Sequence, residues 1–122
     1  MRTGLLYHPC EPNRWGGSVV AIDVNPMAVE KVQEEVDKAG LTNVEVMLAN
    51  AAQTHLLDRA FDLIFLFGLV RPIGDMQAIW TELHRILKAE GRLSVEGRLH
   101  PPLDLFYLKK SEGRMSRYGK LE

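Results

Sequence analysis

Asp23 is the residue whose type and position first suggest chemistry. It lies within the stretch Ser18 to Pro26, SVVAIDVNP, directly after four apolar residues, Val19, Val20, Ala21 and Ile22. Such a run, closed by the turn signal Asn25-Pro26, reads as a buried strand delivering its chain into a helix. An acid at the carboxyl end of a strand in an open α/β sheet faces the crevice where ligands bind. A carboxylate there can accept two hydrogen bonds from a vicinal diol, as a ribose presents, each worth about 1.5–3 kcal/mol. It can equally cap or border the following helix, whose first turn favours acids. The local sequence leaves both readings open.

Other reactive side chains are scattered. His8, His55, His84 and His100 share no metal-ligand spacing with one another, with Cys10 or with an acid pair, so no metal site is expected. Cys10 is the sole cysteine; it excludes an internal disulfide framework, suits a reducing cytoplasm and reads as an inert thiol. No G-x-S-x-G elbow, no G-x-x-x-x-G-K-[ST] phosphate loop and no G-x-G-x-x-G ahead of Asp23 occurs. These absences argue against an α/β-hydrolase, a P-loop NTPase and a dinucleotide dehydrogenase.

The elements that must hold Asp23 follow from periodicity. Asn25 is a good N-cap and Pro26 suits the first helical position. Val29, Val32, Val36 and Ala39 recur at helical spacing and Gly40 ends the helix. Val44, Val46 and Leu48 alternate with Glu45 and Met47, which predicts a half-buried edge strand ending at Ala49-Asn50-Ala51. A short helix or turn is expected from Ala52 to Arg59. The uninterrupted run Leu63 to Phe67 predicts a central strand, stopped by Gly68, with a loop to Gly74. Met76, Ile79, Trp80, Leu83, Ile86 and Leu87 form the buried stripe of a second helix capped by Asp75; Lys88 to Gly91 is its stop. Arg92 to Gly97 is the last clear strand. Leu103 to Leu108 fits a helical turn or a strand, and the polar tail after it reads as disordered or solvated.

The alternation predicts an α/β fold: a Rossmann-like parallel sheet with helices on both faces and right-handed crossovers. The 122 residues bound a single domain, divided into an irregular arm or degenerate first strand (1–17), a core (18–97) and a loop and tail (98–122). Gly4 to Tyr7 is the only candidate first strand. The connection after it holds two prolines and no helical period, although a parallel crossover needs a dozen or more residues. Without a central first strand, unpaired backbone is left between the second and fourth strands, so the Gly4–Tyr7 segment or a partner's strand must fill the gap.

The net charge of -1, from 15 basic and 16 acidic residues, gives no reason to expect nucleic acid or a membrane surface as partner. The apolar run Leu63 to Val70 is too short to span a bilayer, and no signal peptide is read at the N-terminus. A cytoplasmic protein is expected.

From Gly16 to about Gly97 the chain resembles the class I S-adenosylmethionine-dependent methyltransferases, in the branch of the ubiquinone and menaquinone C-methyltransferases. GGSVVAIDVNPMAVE resembles the family's second strand with its ribose-binding acid, and NVEVMLANAAQ its third strand. FDLIFLFGLV resembles the fourth strand, and LHRILKAEGRLSV the helix–turn–strand that follows. The resemblance implies S-adenosylmethionine as cofactor and methyl transfer to a small molecule. It implies that Asp23 takes the ribose hydroxyls, Val24 packs on the adenine and Ala51 offers its N–H to the ring. Asn50 stands where the family has an Asp that accepts from the adenine amine, at a cost of about 1 kcal/mol. Phe67 and Gly68 would border the methionine arm and the methyl group.

The chain departs from the family at the first strand. Its D-x-G-x-G-type glycine loop, which holds the methionyl carboxylate and amine, has no counterpart in Leu5 to Pro12. The two strands that follow the fifth are absent unless the tail supplies them. No N/D-P-P-Y motif follows the fourth strand, which argues against methylation of bases or amide nitrogens. No general base stands out: Glu96 ends the last strand, Arg71 and His100 lie in rim loops, and all three also read as solvated surface. Two other functions remain compatible: a non-catalytic Rossmann-like interaction or dimerisation protein, and a nucleotide or NAD(P) binder using Asp23.

Overall fold

The computed structural model describes the backbone of residues 4–8 and the whole of residues 17–66, 76–97 and 99–122. Seven strands and two helices follow in the order β1 (Gly4–His8), β2 (Ser18–Asp23), α1 (Pro26–Ala39), β3 (Val44–Leu48), β4 (Phe61–Leu66), α2 (Met76–Ile86), β5 (Leu87–Glu96), β6 (Phe106–Glu112) and β7 (Met115–Lys120). They form one sheet ordered β3-β2-β1-β4-β5-β7-β6. The α/β architecture and β3 at an edge are as the periodicity predicts.

β1 fills the gap between β2 and β4, but it runs the other way. It is antiparallel to both neighbours, with Gly4 opposite Ile22 and Leu66. The sheet is therefore mixed, not wholly parallel. The reason lies in the connection: a parallel entry into β2 would require a helical crossover, whereas an antiparallel pair needs only a short link. That link leaves β1 at His8 and enters β2 next to Gly17, at the edge of the sheet opposite Asp23.

The expected loose tail is a second correction. Phe106 to Lys120 forms the β6–β7 hairpin, with β7 antiparallel to β5. Gly113, at φ 62°, supplies the left-handed turn between the two strands. The hairpin is held because its few inward residues bury well: Phe106 is fully buried and Tyr118 nearly so. Lys120, expected on a solvated face, is buried instead, and its Nζ donates to the carbonyl of Leu87 at 2.8 Å.

β2 to β3 steps across the sheet in one direction and β4 to β5 in the other, so right-handed crossovers place α1 and α2 on opposite faces. Burial agrees. Trp80, Leu83 and Ile86 of α2 share one core with Val20, Ile22, Ile64, Leu66, Leu93 and Val95. α1 buries Ala28 and Val36 outside that cluster. Its ends form as the sequence predicts: the Asn25 side chain accepts from the Met27 N–H at 2.9 Å, and Gly40 adopts φ 67° at the C-cap. α2 passes directly into β5, whose first residues Lys88 to Gly91 bulge before regular pairing resumes at Arg92. Gly91 lies so close to Leu87 that an added Cβ would stand 2.5 Å from its Cδ1.

Candidate functional site

The carboxyl ends of β2 and β3 lie side by side, with Asp23 opposite Leu48. The Ala49 N–H donates to the Asp23 carbonyl at 3.0 Å, which brings the Asn50–Gln53 turn next to Asp23. The candidate ribose acid and the candidate adenine contacts are thus neighbours, though 27 positions separate Asp23 from Asn50 in sequence. Asp23 is only 3% exposed, and its Oδ1 accepts from the Asn25 N–H at 2.9 Å. The carboxylate therefore braces the β2–α1 turn at the carboxyl end of β2. Val24 is 51% exposed and, with Leu48 at 58%, presents apolar surface at the same edge. An aromatic base can lie on such a surface.

Asn50 is exposed and its side chain is already engaged: Oδ1 accepts from the Ala52 N–H at 2.8 Å. The Gln53 N–H donates to the Asn50 carbonyl at 2.9 Å and closes the turn. An adenine amine would have to use the second lone pair of the amide oxygen. Ala51 is half-buried at the tip of this turn. Phe67 and Gly68, expected beside the methyl group, lie outside the described residues, as do Arg71 and Cys10. Glu96 stands at the carboxyl end of β5, and His100 is exposed beyond it.

Sequence reasoning missed the device that holds the Asn50–Ala60 segment. Thr54 is 2% exposed, and both its N–H (2.9 Å) and its hydroxyl (2.6 Å) donate to Glu82 Oε2 on α2. Arg85 grips the same carboxylate through Nε (2.9 Å) and Nη2 (2.7 Å) and reaches Asp58 with Nη1. The Arg85 guanidinium holds the Glu82 carboxyl at about 2, well below its ordinary value, against the opposing effect of burial; the Thr54 donors push the same way. The N–H groups of Arg59 and Ala60 bond the carbonyls of Arg85 and Ile86 at the end of α2, both at 2.9 Å. His55 and Arg59 adopt φ of 64° and 50°, conformations that side chains disfavour and that this clamp sustains. Of the two expected forms, short helix or turn, the segment takes the second: a turn-containing loop pinned to α2. Its only sequence signal is Glu82 and Arg85 at helical i,i+3 spacing; nothing in the order of residues points to Thr54 as their partner.

Against known proteins, residues 2–95 match the family described as "Methyltransferase domain". The chain is 33% identical over 110 residues to the ubiquinone/menaquinone biosynthesis C-methyltransferase of Psychromonas ingrahamii, covering 86% of this chain and 43% of that protein. It is 28% identical over 101 residues to the nocamycin O-methyltransferase of Saccharothrix syringae, covering 83% and 36%. It thus spans less than half the length of these curated relatives. Among solved structures, a protein of Pyrococcus horikoshii superposes with a TM-score of 0.70 at 15% identity, over 88% of this chain and 73% of that one. A SAM-dependent methyltransferase of Aquifex aeolicus superposes with a TM-score of 0.64 at 23% identity, over 83% and 65%. These two likenesses concern the fold. By the family match across residues 2–95, the chain belongs to the class I S-adenosylmethionine-dependent methyltransferases.

Proposed function

We propose that this chain binds the adenosine half of S-adenosylmethionine at the carboxyl edge of β2 and β3, and that its activity class is methyl transfer to a small molecule. The observation that carries the reading is the meeting of Asp23 with the Asn50–Gln53 turn beside exposed Val24. Asp23 would take the ribose hydroxyls, Val24 the adenine face, and Ala51 and Asn50 its polar edge. Phe67 and Gly68 would border the methyl group.

When bound, the sulfonium supplies an activated methyl group, so the protein's task is chiefly to position it against the acceptor. A carboxylate at Asp23 orients the nucleoside through charge-assisted hydrogen bonds. Leu48 and Val24 exclude water from the base. Glu96, at the end of β5, stands where a carboxylate could receive a proton from an acidic acceptor.

A second reading is favoured by the direction of β1. In the family the glycine loop leaves the first strand at the cofactor edge. Here the link out of β1 starts from His8, at the opposite edge. That supports a binding module without turnover, in which the adenosine contacts persist and the methionyl contacts do not. Calorimetric titration of the chain with S-adenosylmethionine, S-adenosylhomocysteine and NAD separates the possibilities. Binding of the two adenosyl ligands in preference to NAD supports the proposal. Preference for NAD, or no heat from a folded sample at high ligand concentration, overturns it.

A further inference from the structure

The Asn50–Gln53 turn, which carries the candidate contacts to the base, is anchored on both sides. On one side the Ala49 N–H donates to the Asp23 carbonyl at 3.0 Å, so β2 holds the turn beside the candidate ribose acid. On the other side the next residue, Thr54, is tied to α2: its N–H (2.9 Å) and its hydroxyl (2.6 Å) both donate to Glu82 Oε2. The bonds inside the turn run from the Ala52 N–H to Asn50 Oδ1 at 2.8 Å and from the Gln53 N–H to the Asn50 carbonyl at 2.9 Å. They close the turn on itself and leave its direction to the two anchors.

The Glu82 anchor is built to hold one geometry. Thr54 is 2% exposed, and its hydroxyl is used in both senses: it donates to Glu82 and accepts from the Leu56 N–H at 3.1 Å. A side chain so engaged cannot change rotamer without breaking a bond in a dry place. Glu82 is held in turn by Arg85, with Nε on Oε1 at 2.9 Å and Nη2 on Oε2 at 2.7 Å, a bidentate grip that fixes the plane of the carboxylate. Both oxygens of Glu82 act as acceptors, a role that an amide fills on one side only. Groups that contact a ligand keep their aim when a second layer of hydrogen bonds holds them, and Thr54 with Glu82 is such a layer behind the turn.

We infer that Glu82 is a positioning residue for base recognition: through Thr54 it sets the direction in which the Asn50–Gln53 turn presents the Ala51 N–H and the Asn50 amide oxygen to adenine. The inference rests on the adenosine reading of this edge. It divides the site in two. Asp23 is braced by the Asn25 N–H of the β2–α1 turn, so the ribose contact does not need the clamp. The base contacts do need it. Adenine offers a ring acceptor and an amine donor where hypoxanthine offers an N–H donor and a carbonyl acceptor. A turn held in one direction tells the two bases apart; a turn free to swing loses the distinction.

The test titrates the full chain calorimetrically with adenosine, inosine and 2′,3′-dideoxyadenosine, in wild type, Glu82→Gln, Thr54→Val and Thr54→Ser. Thr54→Val keeps the shape of the side chain and removes the hydroxyl, so it loosens the anchor with less risk to the fold than Glu82→Gln; far-UV circular dichroism checks each variant. Wild type is expected to prefer adenosine to inosine by roughly tenfold or more. Glu82→Gln and Thr54→Val are expected to bring that ratio below about threefold, while the preference for adenosine over 2′,3′-dideoxyadenosine stays. Thr54→Ser, which retains the hydroxyl, is expected to keep both ratios. General loosening of the fold would lower both ratios together, and that result overturns the inference. So does a base preference that survives in Glu82→Gln and Thr54→Val, one that Thr54→Ser loses as fully as Thr54→Val, or a wild type that reads the ribose without reading the base. Wild type that binds none of the nucleosides overturns the adenosine reading itself, and with it this inference; that failure shows before any substitution is made and is thereby told apart from the others.

Discussion

Replacing Glu82 by Gln should loosen the Asn50–Ala60 segment from α2 and destabilise the whole fold in a pH-dependent way. Glu82 is the hub: its two oxygens accept from Thr54 and Arg85, and its side chain is 11% exposed. A carboxyl held at about 2 in the folded chain and 4.5 in the unfolded one corresponds to about 3 kcal/mol by linkage. Arg85 is about a third exposed, so screening reduces this to about 2 kcal/mol. The sign follows from the depression: the stabilisation is fully present above the unfolded value of 4.5 and is lost as pH falls through the folded value of about 2. Urea unfolding of wild type and Glu82→Gln should therefore differ by about 2 kcal/mol at pH 7, and by less than half of that near pH 3. Hydrogen exchange at Thr54 and Leu56 should quicken in the variant. An unchanged urea midpoint at pH 7, or a difference that persists undiminished in acid, would refute the reasoning.

Three further outcomes are expected. Phe106→Ala removes a fully buried ring that anchors β6 against His84; it should cost about 3–5 kcal/mol in urea unfolding and expose the β6–β7 hairpin to protease. Gly91→Ala forces a Cβ to 2.5 Å from Leu87 Cδ1 and 2.9 Å from the Lys88 carbonyl, so it should lower stability by about 1–3 kcal/mol without changing the denaturant slope. Deleting residues 1–8 strips both backbone partners from the inner sides of β2 and β4; size-exclusion chromatography should then show aggregation or pairing between copies, while a well-folded monomer would contradict the place assigned to β1.

The elements around Asp23 were legible because each carries a strong periodic signal. The apolar run of β2, the Asn25-Pro26 start, Val29 to Val36 and Gly40 all point one way, and the uninterrupted Leu63 to Leu66 marks an inner strand. The direction of β1 was not, because a five-residue strand reads alike in both senses; the clue was the short link behind it, lacking a helical period, which favours an antiparallel pair. The β6–β7 hairpin was missed because one edge of it is solvated, and Phe106 and Tyr118 alone mark its inner face among Lys, Arg and Ser. At the candidate site, Asp23 and the turn at Asn50 were legible as strand ends. The Thr54–Glu82 bond was not, since hydrogen bonds across 28 positions leave no local pattern.

The most direct test of the account is a titration of wild type and Asp23→Ala with adenosine and with 2′,3′-dideoxyadenosine. If Asp23 holds the ribose diol, wild type should prefer adenosine by roughly a hundredfold, from two charge-assisted hydrogen bonds. Asp23→Ala should lose that preference and bind both nucleosides alike. A preference for adenosine that survives in Asp23→Ala would contradict the assignment and leave Asp23 as a brace for the β2–α1 turn.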